Sequence, residues 1–271
     1  MMPVTGPDRE CVSSSSASGA KVLLIGAGPG AVDLLTLRAA SAIKTADIIF
    51  YDSLVSPEVL ALSTGAKKVH IGKRCGRNSA TQEFINRSLV SAARRYGQVV
   101  RLKGGDPMIY GRAQEEIAAL TAAGVSYEII PGVSAAFGAS ADLGVSLTKR
   151  GVSRSVVFVT PSFGKGETPH DWVDAVIHAD TAVLYMASRD SGKIARTLMD
   201  AGVPINLPVV VVENATLEHR QIIPTVLSDL PMVQGRLGEG PALILIGEVY
   251  EEFVQTALNS ASSGFGIALA V

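Results

Sequence analysis

The sequence predicts an α/β fold built as two α/β domains, and three observations predict it. Short apolar runs rich in Val and Ile recur along the chain, among them Val22-Leu-Leu-Ile25, Val209-Val-Val-Val212 and Ala242-Leu-Ile-Leu-Ile246. Runs of this length suit strands buried on both faces of a parallel sheet. Stretches with helical spacing lie between them, and the pattern changes character after Pro131-Gly132, which divides a chain of 271 residues into two units of ordinary domain size. The expected organisation is a flexible tail over 1–20, an N-terminal α/β domain over 21–131, a C-terminal α/β domain over 132–258 and a second tail over 259–271.

Composition excludes several classes of function. The formal net charge of −1 gives no global field for nucleic acid or an anionic membrane. No apolar run approaches the roughly 18 residues that span a bilayer. Cys11 and Cys75 are the only cysteines, with no His/Cys cluster beside them, which argues for a reducing compartment, the cytoplasm, and against a metal site. Residues 1–19 are Ser-rich without an apolar core and do not read as a secretory signal.

Taken in order, Lys21-Val-Leu-Leu-Ile-Gly-Ala-Gly-Pro-Gly30 is a strand running into a glycine-rich loop. Gly26, Gly28 and Ala31 fit the dinucleotide pattern G-x-G-x-x-G/A. Pro29 removes a backbone N–H that a pyrophosphate would use, and Asp52 falls a few residues late for the ribose-binding acid. Strands are predicted over Ala46–Tyr51 and Lys68–Ile71. The loop Gly72-Lys-Arg-Cys-Gly-Arg77 then gathers three cations on what would be the ligand side of such a sheet. His70, in strand register, reads as structural. Ser79 to Arg95 reads as a helix capped by Ser79 or Thr81, with Phe84, Leu89 and Val90 inward.

The centre of the chain is Arg101-Leu-Lys-Gly-Gly-Asp-Pro-Met-Ile-Tyr-Gly-Arg112. A strand over 98–103 ends in Gly104-Gly105, where a backbone without Cβ atoms can turn sharply and approach a ligand. Asp106 presents a carboxylate there, either to a ligand or to the next helix as a cap. A helix from Ile109 to Ala123 would carry Arg112, Glu115 and Glu116 near its start. A strand over 125–130 closes on Pro131-Gly-Val-Ser134, and Ala135–Gly144 reads as a small-residue helix. Thr148-Lys-Arg-Gly-Val-Ser-Arg154 is a second basic loop. Strands at 155–160, 181–186, 207–213, 221–223 and 242–247 then alternate with helices near 170–178, 190–201 and 248–258.

One ordered series of short motifs points further. Gly26-Ala-Gly-Pro-Gly30, Leu35-Thr-Leu-Arg38, Tyr51-Asp-Ser-Leu-Val55, Gly72-Lys-Arg74, Leu102-Lys-Gly-Gly-Asp-Pro107, Gly111-Arg-x-x-Glu-Glu116, Pro131-Gly-Val-Ser-Ala135, Tyr185-Met-Ala187, Glu213-Asn-Ala-Thr216, Pro241-Ala242 and Gly247-Glu-Val249 occur in that order. The series resembles the uroporphyrinogen-III C-methyltransferases, within the tetrapyrrole (class III) S-adenosylmethionine methyltransferase family, over roughly residues 21–250. The resemblance implies a cofactor cleft between the two α/β domains and a homodimer. It also implies transfer of two methyl groups from S-adenosyl-L-methionine to C2 and C7 of uroporphyrinogen III, giving precorrin-2 for sirohaem or cobalamin and S-adenosyl-L-homocysteine as by-product. It assigns Pro29, Gly104, Gly105, Asp106, Ile109, Ser134, Ala135, Met186, Asn214, Ala215 and Ala242 to the cofactor. Asp52, Lys73, Arg74, Arg112, Arg150 and Met186 fall to the tetrapyrrole, and Arg112 and Glu115 to catalysis. The substrate's eight carboxylates would meet the basic loops of a nearly neutral protein.

The chain departs from the family at Thr160-Pro-Ser-Phe163, where relatives often have Thr-Gly-His, and at Val133-Ser134, where they often have Ile-Thr. The sequence shows no counterpart of the dehydrogenase/ferrochelatase module of fused sirohaem synthases, so oxidation and metal insertion are expected of other proteins. Alternatives are a later precorrin methyltransferase of the precorrin-4 type and, from the first loop alone, a nicotinamide-dependent oxidoreductase.

Overall fold

Five strands of the first half form one sheet: β1 (Lys21–Gly26), β2 (Ile48–Tyr51), β3 (Lys67–His70), β4 (Gln98–Lys103) and β5 (Ser126–Ile130), in the order β3-β2-β4-β1-β5 with every pairing parallel. The computed structural model describes residues 20–71, 81–163 and 170–262. The basic loop with Lys73, Arg74 and Arg77, both cysteines, and most of the two predicted tails lie outside the described residues.

Alternation along β1 splits the core of this sheet. Val22 and Leu24 pack with Ile85 and Leu89 of α3 (Gln82–Ala93) and Ile117 and Leu120 of α4 (Ala113–Ala122) on one face. On the other face Leu23 and Ile25 pack with Ala39 and Ile43 of α1 (Leu37–Lys44) and Val59 of α2 (Pro57–Ala61). The helices start where side chains cap them: Thr36, Ser56 and Thr81 accept from the backbone N–H three residues on. Two expectations need correction. Phe84 is half exposed, because the inward stripe of α3 runs through Ile85, Leu89, Ala92 and Ala93. The helix expected from Ile109 starts only at Ala113, because Tyr110 (φ 51°) and Arg112 (φ 54°) hold left-handed backbone that no α-helix accommodates.

The second sheet contains β6 (Val156–Val159), β7 (Thr181–Leu184), β8 (Pro208–Glu213), β9 (Gln221–Val226) and β10 (Ala242–Ile246), ordered β6-β7-β10-β8-β9. α5 (Ala135–Leu143) and α9 (Glu251–Ser262) cover one face, contributing Ala136, Ala139, Leu143 and Val254. α6 (Trp172–Ile177), α7 (Ser191–Asp200) and α8 (Leu230–Val233) cover the other, through Trp172, Ile194, Leu198 and Leu230. Only β6 and β7 pair in parallel; β10 runs antiparallel to both β7 and β8, and β8 antiparallel to β9. The parallel reading of Val209–Val212 and Ala242–Ile246 is therefore wrong. Helices cover both faces of this sheet, so its strands lose the alternation that usually marks antiparallel pairing. Pro224 sits on β9, an edge strand, where a missing N–H is tolerated. Among the described residues no helix is long and apolar enough to cross a membrane.

Candidate active site

The loops that leave β4, β1 and β5 are neighbours because those strands are adjacent, and glycine lets them touch. A Cβ placed on Gly26 would fall 2.5 Å from the Gly132 nitrogen and 2.7 Å from the Gly105 oxygen. Gly28 and Gly105 exchange backbone hydrogen bonds of 3.2 and 2.7 Å. These glycines make three backbones converge at the carboxyl end of a parallel sheet, where ligands bind in open α/β folds. Gly105 is packed less tightly: a Cβ there would meet the Ala135 nitrogen, at the start of α5, at an ordinary contact distance of 3.8 Å.

Asp106 is the clasp of this junction. Its Oδ1 accepts from Met108 N at 2.8 Å and its Oδ2 from Gly132 N at 2.9 Å. The carboxylate that sequence offered to a ligand thus first ties the β4 turn to the end of β5, with the remaining lone pairs left for a further donor. The glycine loop after β1 also differs from a dinucleotide loop. Ala31 is extended, a 3-10 turn follows at Val32–Leu34, and α1 opens only at Leu37. The Ala31 N–H is donated to Thr216 Oγ1 at 3.1 Å.

The second sheet presents one end to this junction. Its register places Ala242 opposite Glu213, while Ile244 faces Leu184, so Ala242, Asn214 and Met186 share one rim. Hydrogen bonds join the two halves: Tyr110 Oη donates to Phe158 O at 2.7 Å, and Ala31 reaches Thr216 as above. Within the second half, Ser134 Oγ at the start of α5 lies 2.6 Å from Tyr185 Oη. The Tyr110 and Tyr185 rings lie 5.1 Å apart. Burial raises the pKa of both tyrosine hydroxyls.

Left-handed backbone at a residue with a Cβ costs on the order of 1 kcal/mol. Among the described residues five non-glycine positions adopt it: Tyr110, Arg112, Met186, Asn214 and Thr216. Tyr110 and Arg112 follow β4, Met186 follows β7, and Asn214 and Thr216 follow β8, so the strain collects around the junction. Such strain is a feature of ligand-binding sites.

The family model for tetrapyrrole (corrin/porphyrin) methylases matches residues 21–231. The chain belongs to this family. Among known tetrapyrrole methylases it is 42% identical to the siroheme synthase of Zymomonas mobilis over 230 residues, covering 84% of this chain and 49% of that protein. The chain therefore spans about half the length of the curated relatives it matches. Uroporphyrin-III C-methyltransferase from Thermus thermophilus, solved in complex with S-adenyl homocysteine, superposes with a TM-score of 0.75 at 35% identity, over 86% of this chain and all of that one. A cobalt precorrin-4 methyltransferase superposes with a TM-score of 0.75 at 31% identity, over 84% of this chain and 95% of that one. Family membership removes the oxidoreductase alternative.

In this tetrapyrrole methylase the residues expected at the cofactor fall into connected groups. Pro29, Gly104, Gly105, Asp106, Ser134 and Ala135 surround the glycine junction, and Met186, Asn214, Ala215 and Ala242 line the facing rim. Met186 is 56% exposed, and its carbonyl accepts from Ser162 Oγ at 2.9 Å, in the segment that departs from the family. Ser134 and Ala215 are buried, and the Ser134 hydroxyl is engaged by Tyr185, so both offer mainly backbone. Ile109 follows the Asp106 turn, with its N–H on Asp106 O.

The expected substrate residues divide. Arg112 Nε and Nη2 donate to Glu115 Oε1 and Oε2 at 2.6 and 2.7 Å. This hydrogen bonding holds the Glu115 carboxyl below the usual range. Asp52 accepts from Leu54 N, and its Oδ2 lies 3.5 Å from Arg101 Nη2. Arg150 does not join them. Its turn, closed by Lys149–Ser153 bonds, is tied to α9 through Lys149 Nζ and Glu252 Oε1 at 3.0 Å. Sequence reading quoted Tyr110, Tyr185 and Thr216 within its motifs but gave them no role, although Tyr110 and Thr216 make hydrogen bonds between the halves and the Tyr185 ring packs against Tyr110. It likewise gave no role to the buried Glu213, which holds Gly238 N and Gly240 N at 3.0 and 2.9 Å below the Asn214 rim.

Proposed function

We propose that the chain transfers methyl groups from S-adenosyl-L-methionine to C2 and C7 of uroporphyrinogen III, giving precorrin-2 for sirohaem or cobalamin. The observation that carries this is the glycine junction at the carboxyl end of the first sheet, faced by the left-handed Met186–Asn214 rim, in a chain related to siroheme synthases and a uroporphyrin-III C-methyltransferase. The cleft fits a nucleoside bearing a sulfonium. Gly105 lets backbone come close to a ligand while the missing Gly104 side chain makes room for Leu54, Asp106 has acceptor capacity for a hydroxyl, and the exposed Met186 suits an adenine or ring face. Pro29, Ile109, Ser134, Ala135, Asn214, Ala215 and Ala242 supply the remaining wall. When bound, the cofactor supplies an electrophilic methyl group on positively charged sulfur.

The protein's own part is to orient the acceptor, because in-line displacement depends above all on position. Arg112 orients a substrate carboxylate and is itself aimed by Glu115. Since the Arg112 hydrogen bonds lower the Glu115 pKa, and with it the carboxylate's basicity, positioning suits it better than proton acceptance. Asp52 contacts the pyrrole N–H edge, and Lys73 and Arg74 bind peripheral carboxylates. The reading includes a homodimer working in the cytoplasm. A cobalt precorrin-4 methyltransferase with the same TM-score of 0.75, at 31% against 35% identity, supports a second reading, in which a later corrin intermediate is the acceptor.

Methyl-labelled S-adenosylmethionine offered anaerobically with either uroporphyrinogen III or cobalt-precorrin-4 tests both. Label in the first acceptor alone supports the proposal. Label only in the second replaces it.

A further inference from the structure

β4 carries two cations, Arg101 and Lys103, two residues apart and so on the same face of the strand. That face is covered by α4, and both side chains are almost wholly buried, at 4% and 3% exposure. Glu116 of α4, fully buried, meets them: its Oε1 accepts from Arg101 Nε at 3.1 Å and from Lys103 Nζ at 3.0 Å. Its Oε2 has no hydrogen-bond partner among the described residues. Burial, with the Arg101 charge next, lowers the Lys103 ionisation.

Stability does not explain this cluster. Taking an ion out of water costs several kcal/mol, and apolar residues of similar volume often serve as well or better. An under-satisfied carboxylate adds to the cost. What the cluster does is connect. Arg101 reaches Asp52 Oδ2, beyond the end of β2. The Lys103 Cε lies beneath Gly111, where a Cβ would come within 3.0 Å of it, so Lys103 supports the left-handed turn that delivers Arg112. Glu116 is the chain neighbour of Glu115, which holds Arg112. Two residues expected at the tetrapyrrole, from separate loops, are thus joined through one buried oxygen.

We propose that Arg101, Lys103 and Glu116 form an ionic brace that fixes Asp52 and the Arg112–Glu115 pair relative to one another for the acceptor macrocycle. They are positioning residues for the tetrapyrrole and not for the cofactor, and the proposal rests on the acceptor class proposed above. A macrocycle held at several points tolerates little error, since a misplacement of about 1 Å lowers a rate by about 100-fold.

The test uses the full chain with Glu116→Gln, and with Lys103→Met and Glu116→Gln combined, which removes one cation and the anion together. Melting temperature, S-adenosylhomocysteine affinity, anaerobic turnover and fluorescence-detected binding of uroporphyrin III are measured on each. Glu116→Gln keeps its S-adenosylhomocysteine affinity and loses about 10- to 100-fold in kcat/KM for the tetrapyrrole. The charge-balanced double variant recovers melting temperature but not turnover. Turnover that returns with melting temperature, or cofactor affinity that falls in step with turnover, overturns the brace. A wild-type chain that binds uroporphyrin III without methylating uroporphyrinogen III refutes the reaction. The brace then stands if Glu116→Gln weakens that binding and falls if it does not. A wild-type chain that binds no tetrapyrrole refutes both.

Discussion

Gly132→Ala probes the junction on which the cleft is built. The added methyl would meet Gly105 O and lie 2.9 Å from the Gly26 Cα, all backbone and unable to rotate away. Reaching an ordinary contact of 3.4 Å requires the β1, β4 and β5 loops to separate by several tenths of an ångström or more. Overpacking of this kind costs about 1–3 kcal/mol, which lowers the melting temperature of a chain this size by about 3–10 °C. The same shift breaks the 2.9 Å bond from Gly132 N to Asp106 and moves Gly105 against α5, so S-adenosylhomocysteine affinity falls as well. Gly65→Ala is the control, since nothing lies within 4 Å of its Cβ position and its backbone is not left-handed. Thermal melting and calorimetry with S-adenosylhomocysteine read both effects. A Gly132→Ala protein that melts and binds like the Gly65→Ala protein refutes the argument that close backbone packing shapes the site.

Tyr250 is fully buried and its hydroxyl has no partner among the described residues, burial pushing its pKa well up, so Tyr250→Phe raises stability by about 1 kcal/mol in urea unfolding. Tyr110→Phe removes the bond to Phe158 O between the halves and lowers stability by about 0.5–1.5 kcal/mol by the same assay; an unchanged midpoint would show the contact to be idle. The Arg112 hydrogen bonds depress the Glu115 carboxyl, so this pair's stabilisation is present above the ordinary carboxylate value and is lost as pH falls through the depressed one. Carboxyl-carbon NMR follows that titration, and Arg112→Met returns Glu115 to the ordinary range. Arg112→Ala nearly abolishes turnover while S-adenosylhomocysteine still binds, and normal turnover in that variant removes Arg112 from the substrate.

Local signals carried most of the fold. Short apolar runs located the ten strands of the described residues, and Thr81 was legible as a helix cap, whereas the caps Thr36 and Ser56 and the short α2 were not read. Strand direction in the second sheet was not legible, since a strand buried on both faces reads the same either way. The site was legible as motifs but not as contacts. Gly26 suggested a phosphate loop, whereas its missing Cβ makes room for Gly132, more than a hundred residues away. Asp106 was picked out as a ligand for a cofactor, yet its bond to Gly132 N depends on β5, which lies two strands away across β1. Arg101, Lys103 and Glu116 drew no separate attention. The available signal was two cations inside an otherwise apolar strand, which a buried partner must answer.

Mass analysis of the tetrapyrrole after anaerobic incubation with S-adenosylmethionine and enzymatically made uroporphyrinogen III tests the central claim most directly. The account predicts two added methyl groups per macrocycle, with S-adenosylhomocysteine formed in step. An unmodified macrocycle, from protein that still binds S-adenosylhomocysteine, would contradict it.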